Sequence, residues 1–480
     1  MKKSISILIF FPVFCFGQWT QLGNTINGQV VGDSFGYSTA ISADGTIVAS
    51  GANSNDSGGS NSGQVRVFGL ANGVWSQIGG DLNGESSGDQ TGQAVSLSSD
   101  GSVVAIGEPF NNDLGFVSGQ VRVFRNVNNS WIQVGQDLFG ENSSAEAGKS
   151  VDLSADGSVV AFGAPNTTVN GLFFAGKVKV FVNQNNNWVQ KGGDINGDGS
   201  IIKFGSGVSL SDDGNTIAIG QSGDPTNNNP ADVGRVKIYQ FTGNQWVQLG
   251  NTIFEPGSRG EFGLRVSLSA SGTVLAIGSF SRSEVQVFEL TNGVWAQVGN
   301  TLIGNGAGDS FGFSLSLSSS GTHLAVGARF INQNNNQPGS AYIFHRQGSN
   351  WVLVGNPIVG VAQGNQAGFS VAISQDGSKV AVGSIGNNTV RVFENTSLST
   401  SNFDSNSFTF YPNPSTDVVN FSSSTTIETI TIYNVLGQEV FSKNTDSKEF
   451  SIDISNLSIG TYVAKLNTSI KSKSVTLIKI

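Results

Sequence analysis

The residues of this chain that could do chemistry are few and scattered. Asp194-Ile-Asn196-Gly-Asp198-Gly199 spaces oxygen ligands at alternate positions, as a calcium loop does, but its twelfth position is Gly205, where a bidentate glutamate is needed. The same stretch in the two preceding units reads Asp81-Leu-Asn83-Gly84 and Asp137-Leu-Phe139-Gly140, so drift within a repeat accounts for it. His323 and His345 are the only histidines, and with no third ligand or nearby carboxylate cluster they argue against a metal site or a general base. No pair of carboxylates, His–carboxylate pair or arginine cluster stands at equivalent inner-strand positions, so no catalytic residue and no metal ligand is assigned. Cys15 is the single cysteine and lies in a leader, which leaves the mature chain without a thiolate nucleophile or a disulfide.

The elements that would carry any site are set by the tryptophans. Trp19, Trp75, Trp131, Trp188, Trp246, Trp295 and Trp351 are separated by 56, 56, 57, 58, 49 and 56 residues. A repeat of that length built from short strands means a propeller. Each unit opens with W-x-Q-x-G, as in Trp75-Ser-Gln77-Ile-Gly79, followed by a polar, Gly-rich loop that ends in Gly-Asp-Ser-Phe-Gly at 32–36 and 308–312. An apolar alternation such as Val95-Ser-Leu97 leads to a Ser-x-Asp-Gly turn, then to Val103-Val-Ala-Ile-Gly107, a variable loop, Val121-Arg-Val-Phe124 and an Asn/Gly turn. Four short antiparallel strands per unit are expected, in blades whose closure into a ring leaves few exposed edges. The turn aspartates Asp44, Asp100, Asp156, Asp213 and Asp376 are read as caps of their own backbone.

Seven units are expected, and the chain ends indicate how the ring closes. Phe68, Phe124, Phe288 and Phe344 each lie seven residues before a Trp, but seven residues after Phe393 stands Thr400. The missing outer strand is supplied from the other end, Trp19–Gly23 pairing beside Val390–Phe393. Residues 1–17 read as a signal peptide: Lys2 and Lys3 precede the apolar stretch 5–16, and cleavage is expected before Gln18. Removing the two leader lysines leaves 23 basic against 34 acidic residues, a net charge of −11. That balance argues against nucleic acid and anionic membranes as partners. No apolar run reaches the roughly 18 residues of a membrane-spanning helix.

The propeller, 18–397, is similar to the FG-GAP and integrin-α class of propellers. The match rests on Phe35-Gly36, Phe204-Gly205, Phe262-Gly263, Phe311-Gly312 and on Gly163-Ala-Pro165. Three units depart from it, with Thr91, Ala147 and Ala367 before the Gly, and no unit carries the Asp-x-Asp-x-Asp-Gly calcium loop of that class. No cofactor is therefore expected; calcium fits the class, but no ligand loop for it is visible. Ser42-Ala-Asp44-Gly45 differs from the sialidase Asp-box, which needs a residue between Asp and Gly and an aromatic downstream.

After a Ser/Thr/Asn-rich linker, 398–407, a second composition begins. Tyr411-Pro412-Asn413-Pro414, Tyr433, Gly437, Gly460, Tyr462 and Lys479 punctuate at least four short strands, which by pattern form a small Ig-like β-sandwich over 408–480. These residues closely resemble the C-terminal type A sorting domain of the type IX secretion system (Por) of Bacteroidota. The resemblance implies transit by the type IX machinery, removal of the tail by a sortase-like protease, and anchoring to surface lipopolysaccharide or release. An extracellular or outer-surface location follows.

Function is expected on one face of the ring. From the Gly ending the second strand to the aromatic ending the third there are 17 residues in units one and two and 10 in units five and seven. All variable length falls on the face opposite the tight Asp-Gly turns. Its loops carry Phe110, Phe116, Leu172-Phe173-Phe174 and Phe330-Ile331, suited to a glycan or protein surface. The expectation is a binding or adhesion protein without catalysis; the alternative is a secreted propeller glycan hydrolase or lyase.

Overall fold

The computed structural model describes residues 19–396 and 408–480, apart from 142, 223–233, 256–260, 307, 331–337, 435–437 and 468–471. The expected signal peptide and linker lie outside the described residues. The chain divides into two compact units, one over Phe16–Asn395 and one containing Thr396–Ile480.

The first unit is an all-β propeller of seven antiparallel sheets. In blade one Ser38–Ile41, Ile47–Ala52, Gln64–Ala71 and Val74–Gln77 run from the axis outward. Each sheet holds five strands rather than the four expected, because the outer strand is broken in two. After Val74–Gln77 the chain turns at Gly79-Gly80 and the two-residue strand Leu82–Asn83 returns to pair with Val65 and Gln64. Gly79 explains the glycine of W-x-Q-x-G: its φ is +68°, and a Cβ there would lie 2.7 Å from Cδ1 of Trp131 in the next blade.

That approach is how the tryptophans stitch the blades together. The indole Nε1 of Trp75 donates to the Leu22 carbonyl, Trp131 to Ile78, Trp188 to Val134, Trp246 to Lys191, Trp295 to Leu249 and Trp19 to Val354, all at 2.7–3.0 Å. Each acceptor belongs to the preceding blade, so these six rings satisfy their one donor across an interface. Trp351 packs in the same way, although its buried Nε1 has no acceptor.

Closure occurs twice. Trp19–Gln21 pairs with Phe393–Asn395, and Ile26–Asn27 pairs with Val390 and Thr389, so the N-terminal strand completes blade seven. On the turn face the second residue of each Ser-x-Asp-Gly or Ser-x-Ser-Gly turn donates its N–H to the corresponding carbonyl of the next blade. Ala43 bonds to Ser99, Ser99 to Ala155, Ala155 to Asp212, Asp212 to Ala270, Ala270 to Ser319, Ser319 to Gln375 and Gln375 back to Ala43, at 2.8–3.1 Å. Seven amides thus form a closed hydrogen-bonded circle around the axis.

The second unit is built from longer strands than expected. Phe408–Tyr411, Val418–Tyr433, Gly460–Asn467 and Ser472–Lys479 form one continuous hydrogen-bonded path, with Glu439–Asp453 added to Val418–Tyr433. Two of these strands run for 16 and 15 residues instead of being short. The Ser/Thr run after Phe421 contains no Gly, Pro or Asn to stop the chain, so it continues with register shifts between Ser422 and Ile427. Val419, Phe421, Ile430, Ile432, Ile452 and Leu466 fill its core.

The sequence-identified tail residues frame this sheet. Asn413 Oδ1 accepts the Ile478 N–H at 2.8 Å, and Ser415, just past Pro414, exchanges backbone hydrogen bonds with Ile478 and Ile480. Both ends of the tail therefore meet beside Lys479, which bridges Ser415 and pairs with Gly460. Tyr462 is buried and its hydroxyl donates to the Ser458 carbonyl, Tyr433 is half-buried opposite Val463, and Tyr411 is exposed. Gly437 lies outside the described residues.

Candidate functional site

The axis of the ring holds a cavity of about 320 Å³ toward the loop face and a second of about 290 Å³ toward the turn face. The deeper one ends on the amide circle, with Ser99, Ala155 and Asp212 in its wall. Two carboxylates, Asp152 and Asp212, line it, and Asp152 is fully committed. Asp152 accepts the backbone N–H groups of Leu153 and Leu210 and the Ser96 hydroxyl, tying blades two, three and four. Burial pushes its pKa up against those hydrogen bonds. In other blades a serine does the same work: Ser209 accepts from Leu268, Ser267 from Leu317 and Ser316 from Ile373.

The upper cavity is where the sevenfold pattern breaks. The glycine that starts each innermost strand takes a positive φ and is followed by Tyr37, Gln93, Lys149, Ser206, Leu264, Phe313 or Phe369. Aromatic residues therefore cluster in blades one, six and seven. Tyr37 and Phe369 have ring centroids 5.0 Å apart, Phe369 and Phe313 also 5.0 Å, and Phe313 meets Phe280 edge-on at 5.4 Å. At the next position six blades place Ser, Ala or Gly, while blade five places Arg265 in the cavity wall.

Outside the residues that line the cavity, Arg329, which follows the second strand of blade six (His323–Ala328), approaches the same aromatic ring as Arg265. The Arg329 guanidinium carbon lies 3.7 Å from the Phe313 centroid, 4.5 Å from Phe330 and 5.5 Å from Phe369; that of Arg265 lies 5.4 Å from Phe313. Two cations thus share one aromatic ring. Arg265 donates to the Phe313 carbonyl at 3.0 Å and to the Leu264 carbonyl at 3.4 Å. Arg329 Nε is buried without a partner, and neither guanidinium forms an ion pair among the described residues. Glu261 is the carboxylate whose charge both feel, but its Oε2 is held by the Ser281 hydroxyl at 2.6 Å. Burial lowers both pKa values, and the positive charge of Arg265 lowers that of Arg329 further. Planar guanidinium donors match a carboxylate in shape, and a low-dielectric aromatic surrounding strengthens such an attraction.

The five loop phenylalanines expected to form a binding surface separate into two groups. Phe116, Phe173 and Phe174 are 74%, 69% and 41% exposed. Phe110 and Phe330 are half-buried instead of exposed, because Lys149 Nζ sits 5.2 Å over the Phe110 ring and Arg329 covers Phe330. Leu172 is half-buried, bridging back to Val169, and Ile331 lies outside the described residues.

The remaining chemically suggestive residues are structural in their contacts. Asp194 is held by Lys177 and Gln190, each at 2.7 Å, and Asp198 by Lys237 at 2.7 Å, so the oxygens of the calcium-like stretch face lysines. Although burial opposes it, these hydrogen bonds and charges hold both carboxyls below the usual aspartate range. Asp194 also lines a depression of about 650 Å³ at the outer edge of blades three and four, where Trp246 is already bonded to Lys191. His323 and His345 are cross-strand neighbours in blade six with ring centroids 4.4 Å apart.

Arg265, Arg329, Tyr37, Phe313 and Phe369 were not singled out by the sequence reading. The signal that finds them is departure from a column of the repeat, not a motif.

Comparison with known proteins agrees with this architecture. Residues 409–480 match the family model of the secretion system C-terminal sorting domain, and residues 304–344 match the FG-GAP repeat. No curated protein matches the chain. Among solved structures, the β-propeller domain of Myceliophteria thermophila Cps50 (Swd1) is similar with a TM-score of 0.52 at 12% identity, covering 79% of this chain and 100% of that one. At that identity the likeness speaks for the fold alone. The sorting domain supports type IX secretion and indicates a secreted or outer-surface protein. No helix among the described residues is long and apolar enough to cross a membrane.

Proposed function

We propose that the propeller is a non-catalytic binding or adhesion module, carried out of the cell by its tail and presenting its loop face to a glycan or protein ligand. The observation that carries this reading is where the repeat departs from itself. The turn face repeats one hydrogen-bonded device seven times, whereas the exposed Phe116, Phe173 and Phe174 and the arginine–aromatic cluster all lie on the loop face. Recognition placed on loops of a rigid ring costs little ordering entropy on binding. In this reading a sortase-like protease removes the tail, and the propeller is anchored to surface lipopolysaccharide or released.

The alternative, a glycan hydrolase or lyase, draws on the arginine pair. Hydrolysis of a glycosidic bond calls for two carboxyl groups flanking it. Among the described residues lining the upper cavity there is no Asp, Glu or His.

A glycan and protein array probed with the full chain and with a Phe173→Ser/Phe174→Ser variant tests the proposal. The variant should lose array binding while its stability changes by no more than about 0.5 kcal/mol. Unchanged binding, or turnover of an arrayed glycan, would count against it.

A further inference from the structure

We infer that the depression at the outer edge of blades three and four binds a neutral sugar, held by the backbone and ring of Trp246 and by the Tyr239 hydroxyl. The site is independent of the loop face, and it stands out as a break in a device that other blades repeat.

The device caps the free edge of the tryptophan strand. One residue after the glycine that turns each outer strand, an amide side chain reaches across the interface to the next tryptophan. Asn24 accepts the Trp75 N–H at 2.7 Å and donates to the Trp75 carbonyl at 3.4 Å. Gln136 does both for Trp188, at 3.0 and 2.7 Å, and Asn251 does both for Trp295, at 2.8 and 3.4 Å. Asn300 accepts from the Trp351 N–H at 3.3 Å. Glycine takes this place only at Gly80 and Gly193, which precede Trp131 and Trp246. Those are the two tryptophans left half-buried, the other five being buried. Trp246 pairs with Phe241 as Trp75 pairs with Leu70, so its N–H and carbonyl point to the same open edge.

Blade four adds what blade two lacks. Tyr239 is the one hydroxyl in a column of phenylalanines, Phe124 being its equivalent in blade two. That hydroxyl has no partner among the described residues. Burial, and then the charge of Asp198, push its pKa up to about 12, so it stays a neutral donor. Tyr239, Trp246, Asn244, Gln245 and Asp194 line a depression of about 650 Å³, in the middle of the range for small-ligand sites. Hydroxyl, amide and backbone groups beside two aromatic rings suit a sugar, which carries hydroxyls at its rim and C–H bonds on its faces.

The ligand is uncharged because no cation lines the depression. The lysines nearby are committed: Lys177 pairs with Asp194 and Glu141, and Lys191 donates to the Gly214 carbonyl and to Asn215 at 2.7 and 2.8 Å. A peptide strand suits the place less, since the open edge, Gln245–Gln248, is only four residues long.

The test probes an array of neutral hexasaccharides (β-glucans, mannans and galactans) and of extended heptapeptides with the full chain, then titrates the strongest ligand by calorimetry. Binding of a neutral hexasaccharide is expected. Gly193→Asn copies Asn24 and Asn251 and should close the edge, weakening binding by about tenfold or more. A Cβ at Gly193 meets nothing within 4 Å, so this variant should fold. Tyr239→Phe, which installs the residue of the other blades, should weaken binding roughly three- to tenfold and serves if the first variant fails to fold. Gly80→Asn closes the edge at Trp131 and should leave the affinity unchanged.

Unchanged affinity in either of the first two variants, an equal loss in Gly80→Asn, capture of heptapeptides in place of sugars, or no binding of any neutral hexasaccharide would each overturn the inference. Failure here is separable from failure of the loop-face reading. The Phe173/Phe174 variant should keep this ligand. If it loses a ligand that Gly193→Asn keeps, binding belongs to the loop face and the outer-edge assignment falls.

Discussion

The two faces of the propeller solve opposite problems with the same repeat. On the turn face every unit places the same backbone group at the same radius, and the seven amides from Ala43 to Gln375 bond in a circle. Beside that circle a turn aspartate takes hydrogen bonds from the backbone and side chain around it. Asp44 Oδ1 accepts from Ser42 Oγ at 2.7 Å and from the Thr46 N–H at 3.0 Å, and the pattern recurs at Asp100, Asp156, Asp213 and Asp376. On the loop face the units share a conformation but not a composition. Tyr37, Lys149, Leu264 and Phe369 stand on equivalent backbone positions with unlike side chains. Uniformity thus marks the parts that hold the ring closed, and divergence at a fixed conformation marks the parts to which the proposed function assigns recognition.

The largest expected effect breaks the uniform side. Trp19 packs against Val371, Val380 and Phe393 and donates to the Val354 carbonyl at 2.9 Å. It is the one tryptophan that reaches its blade from the far end of the chain. Trp19→Ala should cost roughly 3–5 kcal/mol in denaturant unfolding, the usual range for a buried aromatic. Phe124→Ala, a buried third-strand residue with no role in closure, should cost a similar amount. A Trp19 variant as stable as the parent would mean that the ring does not depend on its N-terminal strand.

Acid provides a middle-sized probe of the same face. Burial, and then the charge of the stacked His345, push the His323 pKa from 6.5 down to about 4, while Asp376 works the other way. The unfolded chain binds this proton below its own pKa of 6.5, and the native chain only below about 4. Stability from this group is therefore complete above pH 6.5 and is lost as pH falls through that window. The loss should be on the order of 1 kcal/mol, since solvent reaches the ring. His323→Gln should flatten the melting temperature between those limits. The turn aspartates act at lower pH. Burial raises their pKa values, but hydrogen bonds from Ser42, Ser98, Ser154, Ser211 and Ser374 and from the following residues outweigh it, leaving each below 3.8. Their contribution is present above that value and disappears beneath it. A stability curve flat from pH 6.5 to 4 in the parent would contradict the His323 assignment.

What could be read in advance follows the same division. The tryptophan spacing, the Ser-x-Asp-Gly turns and the strand missing after Phe393 are all statements about uniform positions, and a single sequence carries them openly. The two-residue return of the outer strand was hidden because Leu82–Asn83 is too short to show alternation. The amide circle was hidden because backbone groups leave no trace in residue type. Arg265 and Arg329 lie in different units at different positions of the repeat, and only the fold brings both onto Phe313. Reading for recurring chemistry passes over such a pair, since neither residue recurs. The exposure of Phe110 was misjudged for a related reason: its cover, Lys149, comes from the next unit.

The smallest effect sharpens the loop side. Phe174 has φ of +49°, a left-handed conformation that is costly for a bulky side chain, and it is partly exposed. Val117 in blade two and Asn61 in blade one hold the corresponding position, with φ of +54° and +50°. The conformation therefore belongs to the repeat, and only Asn61 has a side chain suited to it. Phe174→Asn should relieve strain at little loss of burial and raise stability by about 0.5–1 kcal/mol. If Phe174 is retained for contact with a ligand, the same substitution should weaken binding to an arrayed glycan or protein. A variant that is both more stable and fully competent to bind would remove Phe174 from the recognition surface and leave that role to Phe116, Phe173 and the axial cavity. A variant that is less stable would show the ring packing on the loop as a core residue does, and divergence at this position would then report folding rather than recognition.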